Sequence, residues 1–386
     1  MKSLYVGAAA LALTTGAAQA GGIERTSQSL MILFETGNLL EFSLGKASPE
    51  LSGRNIAFVE GLPVEDIDNV GKDFWLPSFA LKYDVNDRWA LALIYDRPWG
   101  ADVEYGGENP VFGGTTAEAN THTITALAKY QFNDNFSAFG GLRFQQAGGD
   151  IHLEGIAYGP VTGYDVSLDD DWAAGYVVGA AYELPDIALR VALSYQSEIT
   201  HDMETRERGP LVDPDGPGPI PALPLLNASG ETEVKTPESW NLDFQTGIAQ
   251  DTLLFGSVRW VHHSQFRVDP AAFTAVTGDG LIDLEDTTTW TLGVGRKFND
   301  KFSGAVSVTY EAPGDELVSP LAPKTGYTQL RLAGTYNINE QLSVSGGVSH
   351  FWLGDAKPET STPDVARASF DDNTAWGVGA KITYRF

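Results

Sequence analysis

The chain has 386 residues, 51 acidic against 25 basic side chains for a formal net charge of −26, and no cysteine. That charge excludes a nucleic-acid binder, which needs a basic footprint, and the missing cysteines exclude disulfide stabilisation. No apolar run approaches the ~18 residues of a helical membrane span, while 11 % aromatics and 42 glycines suit strands that are apolar on one face and polar or small on the other.

The N-terminus reads as a secretory signal. Lys2 supplies the positive start, 4–13 the short apolar stretch, and Ala18-Gln19-Ala20 the cleavage site, so residues 1–20 leave and the mature chain begins at Gly21. Residues 21–37 precede the first strand and are expected to form a short N-terminal plug. Within it Leu30, Met31, Ile32, Leu33 and Phe34 make an apolar run, read as a strand extension, as a plug packed on the lower wall, or as a reduced plug whose side chains line a ligand pocket.

From residue 38 to 386 the pattern is that of a transmembrane antiparallel β-barrel, all-β. Six short polar turns recur: Asn86-Asp87, Asn133-Asp134-Asn135, Pro185-Asp186, Gln250-Asp251, Asn299-Asp300 and Asn339-Glu340. Each joins two alternating runs into a hairpin. With one strand before the first hairpin and one after the last, the count is about fourteen. The other connections are long, near 48–73, 105–117, 155–169, 205–230, 267–286, 314–324 and 355–369. Short turns at one end and long loops at the other are the asymmetry of a bacterial outer-membrane barrel. The turns and both termini are then periplasmic and the long loops extracellular. In the closing strand Trp376, Val378, Ala380, Ile382, Tyr384 and Phe386 share one face, and Gly377, Gly379, Lys381, Thr383 and Arg385 the other.

Four features bear on function. The third strand, 89–104, contains Pro98, Trp99 and Gly100. Proline cannot donate to a ladder and glycine often marks a bulge, so the segment is either a lateral opening in the wall or the rim where pairing ends. The inward register carries Lys129, Lys297, Lys381, Arg385 and four arginines, Arg143, Arg190, Arg259 and Arg331. These pair with acidic neighbours such as Glu183 and Asp243, or hold a ligand carboxylate, which arginine does bidentately. The proline-rich loop 205–230 has an apolar stretch with Ile220, Leu223, Leu225 and Leu226, read as an interaction surface or as a loop folded over its own apolar side chains. The acidic loop around Gly278-Asp279-Gly280 lacks the spacing of a calcium loop. The histidines are scattered, and His201-Asp202 point to opposite faces, so no enzyme, metal or cofactor is expected.

Three stretches together resemble the FadL/TodX family of outer-membrane transporters for long-chain fatty acids and hydrophobic compounds. They are Thr236-Pro237-Glu238-Ser239-Trp240 through Trp260-Val261-His262-His263-Ser264-Gln265-Phe266; Trp172-Ala173-Ala174-Gly175 through Ser194-Tyr195-Gln196-Ser197; and the closing strand, 371–386. The resemblance implies a fourteen-stranded barrel with a luminal plug, ligand landing on the loops, a pocket above the plug, and exit through a gap made by a kink in the third strand. The plug departs from the family: it is short and lacks an Asn-Pro-Ala-like motif. The expected function is passive uptake of hydrophobic, fatty acid-like molecules by a monomer among outer-membrane lipid and lipopolysaccharide. A general diffusion porin, a barrel lipase or protease, and an adhesin are the alternatives.

Overall fold

The computed structural model describes residues 22–213, 222–360 and 365–386; the expected signal segment 1–20 and Ile220 lie outside them. Fourteen antiparallel strands form the barrel: β1 Leu39–Glu50, β2 Phe74–Asp84, β3 in two pieces (Trp89–Asp96 and Gly100–Glu104), β4 Thr116–Gln131, β5 Phe136–Leu153 and β6 Tyr164–Leu184. There follow β7 in two pieces (Leu189–Gln196 and Ile199–Arg208), β8 in two pieces (Ala228–Thr236 and Ser239–Ala249), β9 Thr252–Val261, β10 Thr287–Lys297 and β11 Phe302–Glu311. Strands β12 Thr325–Asn337, β13 Leu342–Gly354 and β14 Thr374–Arg385 complete the wall. Strand β1 pairs with β2 on one side, Phe42 opposite Phe79, and with β14 on the other, Phe42 opposite Ile382, which closes the cylinder.

The six short turns explain themselves locally. In four of them one asparagine side chain folds the chain back. Asn86 Oδ1 accepts from the N–H groups of Arg88 and Trp89 (2.9 and 3.0 Å). Asn133, Asn299 and Asn339 each take the N–H groups two and three residues on in the same way. These bonds replace ladder bonds that a two-strand turn cannot make. No helix among the described residues is long and apolar enough to cross a membrane; the strands cross instead.

The outer face shows why lipid surrounds it. Val378 and Ile382 are 49 % and 51 % exposed, whereas Lys381 between them is 7 % exposed. Exposed Trp75, Trp240, Trp290, Trp352 and Trp376 ring the barrel toward the long-loop end, and Trp89, Phe136, Phe302, Tyr336 and Phe386 ring it toward the turns. Two aromatic belts around an apolar band fit a bilayer.

Beyond the upper belt the alternation changes phase. The sequence reading ended strands near 169 and 205, but β6 begins at Tyr164 and β7 runs to Arg208. There Val166, Leu168, Met203 and Val234 are buried inward, and Arg206 pairs outward with Asp169 at 2.6 Å. This part of the wall meets water outside and an apolar interior inside. Its pattern is therefore that of a soluble sheet, and a membrane-facing pattern does not find it.

All seven long connections contribute to one apolar cluster inside and across that end, including Leu51, Phe112, Tyr158, Leu226, Phe273, Leu321 and Phe370. Tyr105 Oη donates to the Pro320 carbonyl at 2.7 Å, tying two loops together. In the β9–β10 connection a short helix, α1 (Ala271–Thr277), is held by the Glu207 carboxylate, which accepts from the N–H groups of Ala272 and Phe273 at 2.9 and 2.8 Å.

Val378→Arg and Ile382→Arg are expected to lower unfolding free energy in lipid vesicles by about 2–4 kcal/mol near the midplane. Ser345→Ala, inward and bonded only to a hydroxyl, should stay within about 1 kcal/mol. Equal urea midpoints for the two classes would refute the facing described.

Candidate functional site

Residues 22–38 occupy the lumen, 22–28 beside the second half of β3 and 30–38 at the turn end. Met31–Phe34 forms one 3-10 turn, and Gly37 at φ 75° lets the chain bend into β1. Leu30, Ile32 and Leu33 are buried against Leu39, Ile94, Leu127, Phe139 and Val177 of the lower wall. Ile32 borders a polar space with Glu35, Glu41 and Lys381. Phe34 meets Phe139 edge-on at 5.7 Å, and Lys129 and Arg190 lie over its ring at 4.7 and 4.8 Å.

The luminal arginines all have partners, and two of these partners belong to the plug. Arg259 Nε donates to Glu24 at 2.7 Å, and its Nη1 donates to Ser239 Oγ and Asn241 Oδ1 at 3.0 Å each. Arg143 bonds Gln28 and donates to the Ser197 carbonyl at 3.3 Å. Arg190 donates to Gln245 at 2.8 Å. Arg331 donates to Ser349 Oγ at 3.2 Å. The carboxylate facing Arg259 is thus one the chain itself supplies. Glu24 and Arg25 are the only charges in residues 21–34, which is the signal by which sequence alone could have marked them.

The wall parts at β3. Strands β2 and β3 pair up to Phe79 opposite Tyr95, and an isolated bridge between Gly71 and Val103 resumes the same register. Residues 97–101 of β3 lack ladder pairing to β2 in between. The plug takes that place on the luminal side: Arg25 N–H donates to the Pro98 carbonyl at 2.7 Å, and Gly100 N–H donates to the Ile23 carbonyl at 2.8 Å. Trp99, 1 % exposed, is fixed by Thr121, whose hydroxyl accepts from its N–H and donates to its carbonyl. It meets His263 edge-on at 5.9 Å, and burial pushes that imidazole down to about 3.

Arg25 fills the parting. Its Cζ lies 4.5 Å from the Phe74 ring of β2, its Nη2 is 3.6 Å from Asp102 of β3, and its Nη1 donates to Asn120 of β4 at 3.4 Å. A Cβ on Gly100 would come within 2.5 Å of the guanidinium, so glycine there provides its seat. Burial pushes Arg25 down to about 10 and the Glu24 carboxyl upward. Arg97 crosses outside, donating to the Trp75 carbonyl at 3.4 Å.

Behind the parting lies a partly open apolar cavity. Ile23, Trp99, Ala147, Met203, Phe266 and Leu321 make its surface almost wholly apolar. In the loop between β7 and β8, Leu226 is buried while Leu223 and Leu225 are partly exposed. In the acidic loop, Asp279 lies 3.0 Å and Asp283 3.8 Å from Arg267.

A family profile described as outer membrane protein transport protein (OMPP1/FadL/TodX) matches residues 19–386. No curated protein matches by sequence. A Pseudomonas aeruginosa FadL homologue superposes with TM-score 0.72 at 16 % identity, covering 92 % of each chain. The Pseudomonas putida toluene transporter TodX does so with 0.64 at 12 % identity, over 97 % of this chain and 98 % of that one. The Ralstonia pickettii toluene transporter TbuX gives 0.59 at 13 % identity, over 91 % and 90 %.

Removing one member of a buried ion pair costs about 3–5 kcal/mol. In Glu24→Ala that loss falls on the plug and leaves the ladders intact. Trypsin is expected to cut at Arg25 faster than in the wild type while the barrel keeps its heat-modifiable gel mobility; an unchanged rate would show that Glu24 does not anchor the plug.

Proposed function

The chain belongs to the outer membrane protein transport family (OMPP1/FadL/TodX), and from that premise we propose that it is a passive channel for hydrophobic molecules, fatty acid-like or aromatic, that leave sideways through the β2–β3 parting. In this reading the short turns and both termini face the periplasm, and the long loops face outward among lipopolysaccharide. The protein acts as a monomer.

The observation that carries the reading is the apolar cavity directly behind an unpaired stretch of wall, with Trp99 and Gly100 bordering it. A hydrophobic molecule leaving toward periplasmic water re-exposes its surface at about 25 cal/mol per Å². Exit between β2 and β3 leads into lipid and avoids that cost. The plug blocks the straight path, since Leu33 and its neighbours pack on the lower wall. Loop residues Leu223 and Leu225 offer an apolar surface on which a ligand first lands. An open polar pore is disfavoured, because the loops meet in one apolar cluster over the mouth.

Two measurements test this. Proteoliposomes should take up a hydrophobic probe yet not swell in isotonic sugar; swelling would favour a porin. In the continued register Pro77 faces Arg97, so Pro77→Cys with Arg97→Cys staples the parting. Oxidised protein should lose most uptake and regain it on reduction, and equal uptake in both states would put the exit elsewhere.

A further inference from the structure

The wall is interrupted a second time, between β6 and β7. One ladder joins them from Leu184 opposite Leu189 to Val177 opposite Gln196, and another from Leu168 opposite Thr205 to Asp165 opposite Arg208 continues the same register. Among the described residues, 169–176 and 197–204 form no ladder pairs with each other between the two. The reason is which face each strand turns inward, since directly opposed residues must share a face. Strand β7 buries Ala192, Ser194 and Gln196 below the gap but His201, Met203 and Thr205 above its own break. Strand β6 makes the reverse change, from Val177 to Leu168, only higher up, because Trp172 is still outside at 57 % exposed. In the shared register Trp172 would oppose His201, which is 0 % exposed, so the ladder cannot continue there.

Side chains span this seam instead. Tyr176 N–H donates to Ser197 Oγ at 2.9 Å, His201 Nδ1 lies 3.2 Å from Asp171 Oδ2, and Arg206 donates to Asp169 at 2.6 Å. The seam starts just above the outward rings of Tyr176, Tyr195 and Trp240, which follow one another at 5.9 and 4.9 Å. Its lips carry exposed Asp170, Asp202 and Glu204. It therefore lies at the headgroup level, where water can serve backbone groups that the ladder does not. On the inside, Leu168 of one lip and Met203 of the other line the same apolar cavity that borders the β2–β3 parting.

We propose that the β6–β7 seam is a second lateral port, an entrance through which an uncharged hydrophobic molecule held in the lipopolysaccharide headgroup layer reaches the cavity from the side. This rests on the uptake function proposed above and adds its entrance. The apolar cluster of the seven connections roofs the mouth, so entry from above has to break that cluster. Entry at the seam has to part the His201–Asp171 contact and the few bonds beside it. The acidic lips repel carboxylates and leave neutral molecules unopposed. The cavity then joins an entrance in the headgroup layer to the exit at β2–β3.

Asp170→Cys with Asp202→Cys puts one thiol on each lip, outside the cavity. In intact cells expressing the full chain, a short cleavable bismaleimide joins the two, and mass spectrometry of the purified barrel measures the joined fraction. Entry of the neutral probe 1-N-phenylnaphthylamine is followed by its fluorescence. Joining the lips is expected to remove most of the uptake that the protein adds, and cleaving the linker to restore it. His201→Ala, which removes the contact across the seam, is expected to raise uptake severalfold while the barrel keeps its heat-modifiable gel mobility. Equal uptake with the lips joined and cleaved overturns the port, as does an unchanged rate in folded His201→Ala. Cells with the wild-type chain that take up the probe no faster than cells without it would instead overturn the uptake function, so the two failures are distinguishable.

Discussion

A backbone amide facing hydrocarbon has no water to bond, so a membrane barrel must satisfy every ladder group from within. The rest of this structure follows from how that requirement is met and where it is relaxed. Around most of the cylinder the neighbouring strand meets it. At β3 the neighbour is missing over five residues, and the plug supplies the bonds, giving Pro98 a donor and Gly100 an acceptor. Proline fits because it brings no N–H of its own to satisfy. The opening and its cover are thus one construction, and the cover comes from the segment that also fills the lumen.

The same economy governs charge. Arginines inside a barrel cannot stay unpaired, and this chain answers two of them with plug residues, Glu24 for Arg259 and Gln28 for Arg143. Thr26 adds a bond to Asp96 at 3.0 Å. The plug is therefore anchored by polar contacts above and by the apolar packing of Leu30 to Leu33 below. That division puts the polar anchorage next to the parting and the apolar packing next to the turns.

Much of this was legible in the sequence. The asparagine turns and the alternation of β14 give the strand count because both are local, and Pro98 and Gly100 flag the third strand because no regular strand tolerates them. What was not legible is long-range. Arg25 meets Asn120 across 95 positions and Glu24 meets Arg259 across 235, and nothing in one sequence pairs them. The upper wall was shortened in the sequence reading because Val166, Leu168 and Met203 point inward there, opposite to the phase used below. The luminal cations were matched to Glu183 and Asp243 because strand neighbours are what register reveals; a plug carboxylate is not on any strand.

The apolar cluster shared by all seven loops also constrains how the molecule is made. Its members are scattered from Leu51 to Phe370, and no hairpin holds enough of them to bury alone. Contacts such as Phe112 with Tyr158 join neighbouring connections, but the whole cluster is complete only when β1 meets β14. Closing the cylinder is thus what finishes the lid. A chain whose circle is still open leaves part of this apolar surface uncovered, which is the kind of surface that makes an incompletely folded species prone to aggregate.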